Sequence, residues 1–187
     1  MRHTTTLLSV VLLLAVSGCS SDDEGSGKPT VTKASPTPTV ASPSPSPSPS
    51  KAETLKLGDT ANISADSEFT AAALGYTDKG ITGVPELLSA GQKWSVVMVK
   101  VCNKGGEPIA TTPLVWSLAY ADGVRVEAAG MNAGELPQPL YPMEAKVSSG
   151  DCVKGNIAFT VPESGRPERV LYSPDALDEP VEWQIGK

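Results

Sequence analysis

From Thr54 onward the chain alternates apolar and polar residues with a period of two, the pattern of a half-buried antiparallel strand. In "PLVWSLAYADG", Leu114, Trp116, Leu118 and Tyr120 fall on one face; Val115, Ser117, Ala119 and Ala121 fall on the other. "GVRVEA" places Val124 and Val126 inward, with Arg125 and Glu127 outward. "NIAFTVP" places Ile157, Phe159 and Val161 inward. "VEWQI" does the same with Val181, Trp183 and Ile185. "WSVVMVKV", from Trp94 to Val101, is apolar at nearly every position and reads as a central strand. "LKLGDTANI" and "FTAAALGYT" are weaker strand candidates. Gly, Pro, Asn and Asp punctuate the gaps, as in "NKGGEP" at Asn103–Pro108 and "ADG" at Ala121–Gly123. No segment sustains a 3.6-residue period. Short strands separated by turn signals predict an all-β, antiparallel β-sandwich over residues 54–187.

The preceding residues cannot join such a core. From Ser20 to Glu53 the chain has no aromatic residue and almost no aliphatic one, so it has too little apolar surface to offset chain entropy. It reads as a disordered, Pro/Ser/Thr-rich linker. The Ser-Pro alternation from Ser42 to Ser50 favours polyproline II, a semi-rigid spacer reaching on the order of 100 Å at about 3.1 Å per residue. Before it, Arg2 and the apolar run "LLSVVLLLAV", from Leu7 to Val16, form a signal-peptide pattern too short to span a membrane. The run ends in small residues directly before Cys19. "VSGC" resembles the bacterial lipobox, which implies diacylglyceryl transfer to the Cys19 sulfur and cleavage before it. The organisation read from the sequence is therefore a signal peptide over 1–18, a lipidated N-terminus and linker over 19–53, and the sandwich over 54–187. A lipoprotein cysteine carries at least two acyl chains, so it would anchor the protein to the outer face of the membrane without a transmembrane helix.

Counted from Ala52, the chain has 18 acidic and 11 basic residues. No basic cluster with interleaved aromatics is present, which argues against nucleic acid as a partner. The one histidine, His3, lies in the leader, so the mature chain has none for Ser-His-acid, Cys-His or histidine–metal chemistry. No Gly-rich phosphate loop and no nucleophile elbow occur. "DALDEP" at Asp175–Pro180 lacks the order of a calcium loop and reads as an acidic turn. The expectation is a non-enzyme with no catalytic residue, no metal and no cofactor. Two long irregular stretches are candidate interaction surfaces. "GMNAGELPQPLYPMEAK", from Gly130 to Lys146, carries Met131, Leu136, Leu140, Tyr141 and Met143. "YTDKGITGVPELLSAGQ", from Tyr76 to Gln92, carries Ile81, Val84, Leu87 and Leu88. The plainer reading is that these residues cap the open ends of the sandwich.

Cys102 closes the central strand and Cys152 opens the strand after it. On their residues alone they are a disulfide, a free thiol pair, or a redox or metal site. If Val97, Val99 and Val101 face the core, Cys102 points away from it. "VVMVKVCNKGGEPI" and "SSGDCVKGNIAFTVPESGRPERVLYSP" resemble the two signatures of a family of bacterial surface domains of unknown function. The likeness runs from Lys93 to Tyr172. It implies a telokin-like, immunoglobulin-like fold, a Cys102–Cys152 disulfide, and a secreted or lipid-anchored protein, with no activity attached. The expected role is a cell-surface module that binds a protein or small molecule at the envelope. The alternative is an accessory part of an envelope assembly with no ligand of its own.

Overall fold

The computed structural model describes residues 30–33 and 54–186; the leader, Cys19 and most of the linker lie outside them. The strands are β1 (Thr30–Lys33), β2 (Leu55–Lys56), β3 (Ala61–Ser64), β4 (Glu68–Thr77), β5 (Gln92–Gly105), β6 (Ile109–Thr111), β7 (Trp116–Ala119), β8 (Arg125–Glu127), β9 (Ala145–Val147), β10 (Cys152–Pro162), β11 (Arg169–Tyr172) and β12 (Val181–Gln184). No α-helix occurs among the described residues, and Pro85–Leu87 and Pro113–Val115 form single 3-10 turns. Two five-stranded sheets result, ordered β1-β3-β4-β5-β10 and β2-β12-β11-β7-β8, with a small β6-β9 pair beside them. The fold is the all-β, immunoglobulin-like sandwich expected from the period-two pattern.

Odd positions of β5 make the inner face of the first sheet. Val97, Val99 and Val101 are fully buried with Ile157, Phe159 and Val161 of β10. The second sheet answers with Trp116, Leu118, Val170, Tyr172, Val181 and Trp183. The Trp116 ring lies 4.4 Å from Tyr172 and 5.7 Å from Trp183, centroid to centroid. Full burial of each large apolar side chain contributes roughly 1.5–3 kcal/mol, which makes this layer the main source of stability.

Three expectations are corrected. Leu114 is 58% exposed, because it lies in the 3-10 turn at Pro113, where Thr112 Oγ1 accepts its N–H; the strand starts at Trp116. Val124 is 48% exposed, because the β7–β8 hairpin turn extends past the core and Tyr120 N–H donates to its carbonyl. Ser117 and Ala119 are buried although they face away from the core. They are small residues on a strand paired on both sides, opposite Glu127 and Leu171, and Arg125 and Arg169. A fourth difference concerns the linker. Thr30–Lys33 pairs antiparallel with β3 as an edge strand, although composition places it in the spacer.

Candidate functional site

The open end of the sandwich gathers polar groups, and a β-bulge puts them there. Ala71 and Ala73 of β4 face the core, so strict alternation would place Tyr76 outside. The β4–β5 register slips between Ala73 and Gly75, which sets Tyr76 opposite Val97 and turns it inward. Asp78 follows two residues later, with its side chain only 8% exposed. From β5, Lys93 and Ser95 continue the inner face beyond Val97. Lys93 Nζ donates to Asp78 Oδ2 at 2.9 Å, and Arg166 Nη1 lies 3.5 Å from Asp78 Oδ1. The Arg166 guanidinium also sits over the Tyr76 ring, 4.9 Å from its centroid. Tyr120, at the end of β7, completes the group.

The electrostatics follow from this geometry. Burial alone pushes the Asp78 carboxyl up, but the Lys93 hydrogen bond and the charges of Lys93 and Arg166 outweigh it and hold it below the usual range. The Tyr76 phenol is pushed up to about 12, first by burial and then by the Asp78 charge. Tyr120 is raised for the same two reasons. Tyr76 Oη, Ser95 Oγ and Tyr120 Oη are buried and meet no hydrogen-bond partner among the described residues. Ser95 stands beside Tyr76 without meeting hydrogen-bond geometry.

Arg166 also opens onto a groove of about 760 Å³ at the edge of the second sheet. Lys56, Arg169 and Gln184 supply polar groups there, and Leu57 and Ile185 supply apolar ones. Arg169 is held by Glu182 at 2.8 Å, which leaves its remaining N–H groups as donors. The arrangement offers hydrogen-bond donors and short apolar contacts; it positions no nucleophile beside a base. No cluster of three or more His, Cys, Asp or Glu able to hold a metal occurs among the described residues.

The loop residues expected to meet a partner lie elsewhere and are covered. Leu136 (2% exposed) and Tyr141 (0%) are buried; Met131, Leu140 and Met143 are half-buried. Leu136 packs with Trp94, Val96 and Ala158, joined by Met131 and Leu140 and by Ile81, Val84 and Leu88 of the other loop. The two loops thus close together over the outer face of β5 and β10. Trp94 Nε1 donates to the Val84 carbonyl at 3.1 Å. Gly83, at φ +94°, approaches so closely that a Cβ would lie 2.5 Å from the Trp94 ring. Tyr141 points the other way, into the main core, and its hydroxyl bonds Thr111. The backbone of this loop runs along the outer edge of β10: Tyr141 N–H donates to the Asn156 carbonyl at 2.9 Å and Asn156 N–H to the Pro139 carbonyl at 2.8 Å. That covers a sheet edge which would otherwise be open to strand addition. Leu87, in contrast, is 51% exposed.

Cys102 and Cys152 are directly opposed on β5 and β10 and joined by a disulfide. The bond lies on the outer face, as the inward valines require. β5 does not end there, however; it runs on to Gly105. Asn103 explains the extension. Its buried side chain donates to the carbonyls of Glu107 (2.9 Å) and Val147 (3.0 Å) and accepts from Gly105 N–H (3.0 Å), so it ties the strand end to the next turn and to β9. Cys19 lies outside the described residues.

The sequence signals for Asp78, Lys93, Tyr120 and Arg166 were weak: single polar residues at strand ends, with a bulge that alternation does not reveal. A family model described as a domain of unknown function (DUF4352) matches residues 55–181. Solved structures with a similar fold include MPT63, a secreted protein of Mycobacterium tuberculosis. It is 19% identical, with a TM-score of 0.54, over 71% of this chain and 97% of that one. The yjhA protein of Bacillus subtilis is 14% identical, with a TM-score of 0.53, over 71% and 99%. The ycdA protein of Bacillus subtilis, titled a candidate lipoprotein, is 18% identical, with a TM-score of 0.50, over 65% and 37%. At these identities the likeness shows the fold alone. No curated protein matches the chain.

Proposed function

This chain belongs to the DUF4352 family, and on that premise we propose that it is a lipid-anchored, extracytoplasmic protein that displays its sandwich for binding, without catalytic activity. The observation that carries the anchor is "VSGC" at the end of a short apolar run, with the remaining two cysteines consumed by one disulfide. A disulfide fits an oxidising compartment. The mature chain has no histidine, which supports a binding role over acid-base or nucleophilic catalysis. The binding surface we favour is the Arg166 end, because the Gly130–Lys146 loop is used as a cover. The partner is a protein or small molecule of the envelope. Sealing of both loops favours, as a second reading, an accessory part of an envelope assembly.

Cys19→Ala tests the anchor. The variant should leave the membrane fraction or stay unprocessed, and should lack the lipid mass. A variant that still fractionates with membrane and gains lipid mass overturns the anchor. Cross-linking on intact cells separates the two readings of the role, since a stable membrane-protein neighbour without a soluble ligand selects the accessory one.

A further inference from the structure

We propose that β1 is a displaceable clip: when docked, it fixes how far the domain stands from its anchor and which end of the sandwich points outward. The inference rests on the lipid at Cys19 proposed above. β1 has the sequence "TVTK", exposed at its first three positions and half-buried at Lys33, and its one large apolar side chain, Val31, stays 38% exposed and outside the core cluster, so it adds little apolar burial to the fold. Its hold on the domain includes the β3 ladder, with Val31 opposite Ile63 and Thr32 opposite Asn62, and a surface ion pair, Lys33 Nζ to Asp59 Oδ2 at 3.1 Å. A strand held this way at a sheet edge belongs to the least stable part of a domain.

Its direction matters. Thr30 lies opposite Ser64, Ser64 opposite Glu68, and Glu68 opposite Gly105. The chain toward Cys19 therefore leaves at the end of the sandwich that carries the Cys102–Cys152 disulfide. Lys33, three residues on, is level with Ala61, Ala71 and Val101 and pairs with Asp59, whose Oδ2 also accepts Lys56 N–H. Arg166, which lines the groove, lies with Asp78 and Lys93 at the opposite end of β5. With β1 docked, the disulfide end faces the anchor and the groove faces away. Cys19 and Thr30 are 11 residues apart, so covalent geometry limits the docked span to roughly 40 Å. With β1 released, the first anchored strand is β2 at Leu55, 36 residues from Cys19, and the limit rises to roughly 130 Å with no fixed orientation. One short strand thus separates two states whose reach differs about threefold.

The test uses the full chain in its own membrane. Thr32→Cys with Asn62→Cys places a cysteine pair directly across the β1–β3 ladder, on two exposed positions. Mild oxidation should give an intramolecular cross-link in most molecules, and Thr32→Cys with Ser64→Cys, two residues out of register, should give at least fivefold less. No cross-link, equal yields, or a disulfide between two chains overturns the clip. Orientation is read by energy transfer to an acceptor dye in the lipid, from a label at Asp151→Cys on the disulfide end or at Lys79→Cys on the groove end. The Asp151 label should be the nearer by about 40 Å, the length of β5. Val31→Pro with Thr32→Pro, which removes the one ladder donor that this adjacent pair supplies, whichever residue carries it, and leaves the core cluster untouched, should abolish that difference. An unchanged difference in the proline variant overturns the clip. Loss of lipid mass at Cys19 instead marks failure of the anchor, and the cross-link reports on β1 either way.

Discussion

Leu136→Ala distinguishes a covering loop from an open one. Leu136 is 2% exposed and packs on Trp94, Val96 and Ala158 across the outer face of β5 and β10. Truncation removes the equivalent of three buried carbons, about 2.4 kcal/mol at ~0.8 kcal/mol per methylene. The cavity left behind raises the cost toward ~3–5 kcal/mol in a rigid site. A loop can partly collapse into the space, so the expected loss is about 2–3 kcal/mol. In a domain of this size that lowers Tm by roughly 6–15 °C. Urea unfolding followed by tryptophan fluorescence gives the number directly, because Trp94 is in contact with the site. Leu87→Ala is the control: it sits in the neighbouring loop but is 51% exposed, and should change stability by no more than ~0.5 kcal/mol. A Leu136→Ala variant as stable as Leu87→Ala would refute the satellite core and restore the loop as a free surface.

Gly155→Ala should cost about 1–3 kcal/mol and speed amide exchange at Tyr141, because the added Cβ would overlap the Leu140 and Tyr141 backbone and push the loop off the strand. Asp78→Asn should cost ~1–3 kcal/mol at neutral pH. The Asp78 carboxyl is depressed in the folded state, so its contribution is present above the unfolded value of about 3.9 and is lost as pH falls through the lower folded one. The gap between wild type and Asp78→Asn should therefore close in acid, and a gap that stays constant to pH 2 would contradict the ion pair. Burial holds the phenols of Tyr76 and Tyr141 at about 12, so their contribution is complete below pH ~10 and is lost as pH rises toward 12; phenolate absorbance and unfolding should rise together in that window. Replacing both Cys102 and Cys152 by Ser should lower stability by up to ~4 kcal/mol, the entropy of a loop of 50 residues, and leave the β-rich circular dichroism intact.

Alternation was a reliable guide wherever both ends of a strand were paired. Ile157, Phe159, Val161, Val181 and Trp183 all face the core as their period demands. It misled at strand ends. Leu114 and Val124 continue the apolar period, but Pro113 and the Asp122–Gly123 turn take over the backbone there, and a turn does not follow the pleat. The bulge at Leu74 is the deeper case. One extra residue in β4 exchanges the faces of everything after it, and Tyr76 and Asp78 become inner groups through a step that leaves no mark in composition. β1 was hidden for the opposite reason. Its pairing comes from backbone groups, which every non-proline residue carries, so "TVTK" looks no different from the spacer around it.

The roles of the two long loops follow from β5. A strand that is apolar on both faces cannot leave either one in water, and the facing sheet covers only the odd positions, Val97, Val99 and Val101. Trp94 and Val96 on the even face need a second cover. Neither loop has a strand period or enough regular structure to stand alone, but together they carry Ile81, Val84, Leu88, Met131, Leu136 and Leu140. Placing them over Trp94 and Val96 buries both sets at once, and the Asn156 and Ala158 backbone bonds fix the longer loop to the sheet edge. The same residues cannot then serve a partner without uncovering the strand beneath. What the fold leaves accessible is its other polar concentration, the end where Arg166 is stacked on Tyr76 and paired with Asp78, beside the groove. A partner that engages Arg166 there would compete with Asp78 for its guanidinium, so binding at that end should be felt by the inward-turned tyrosines rather than by the loops.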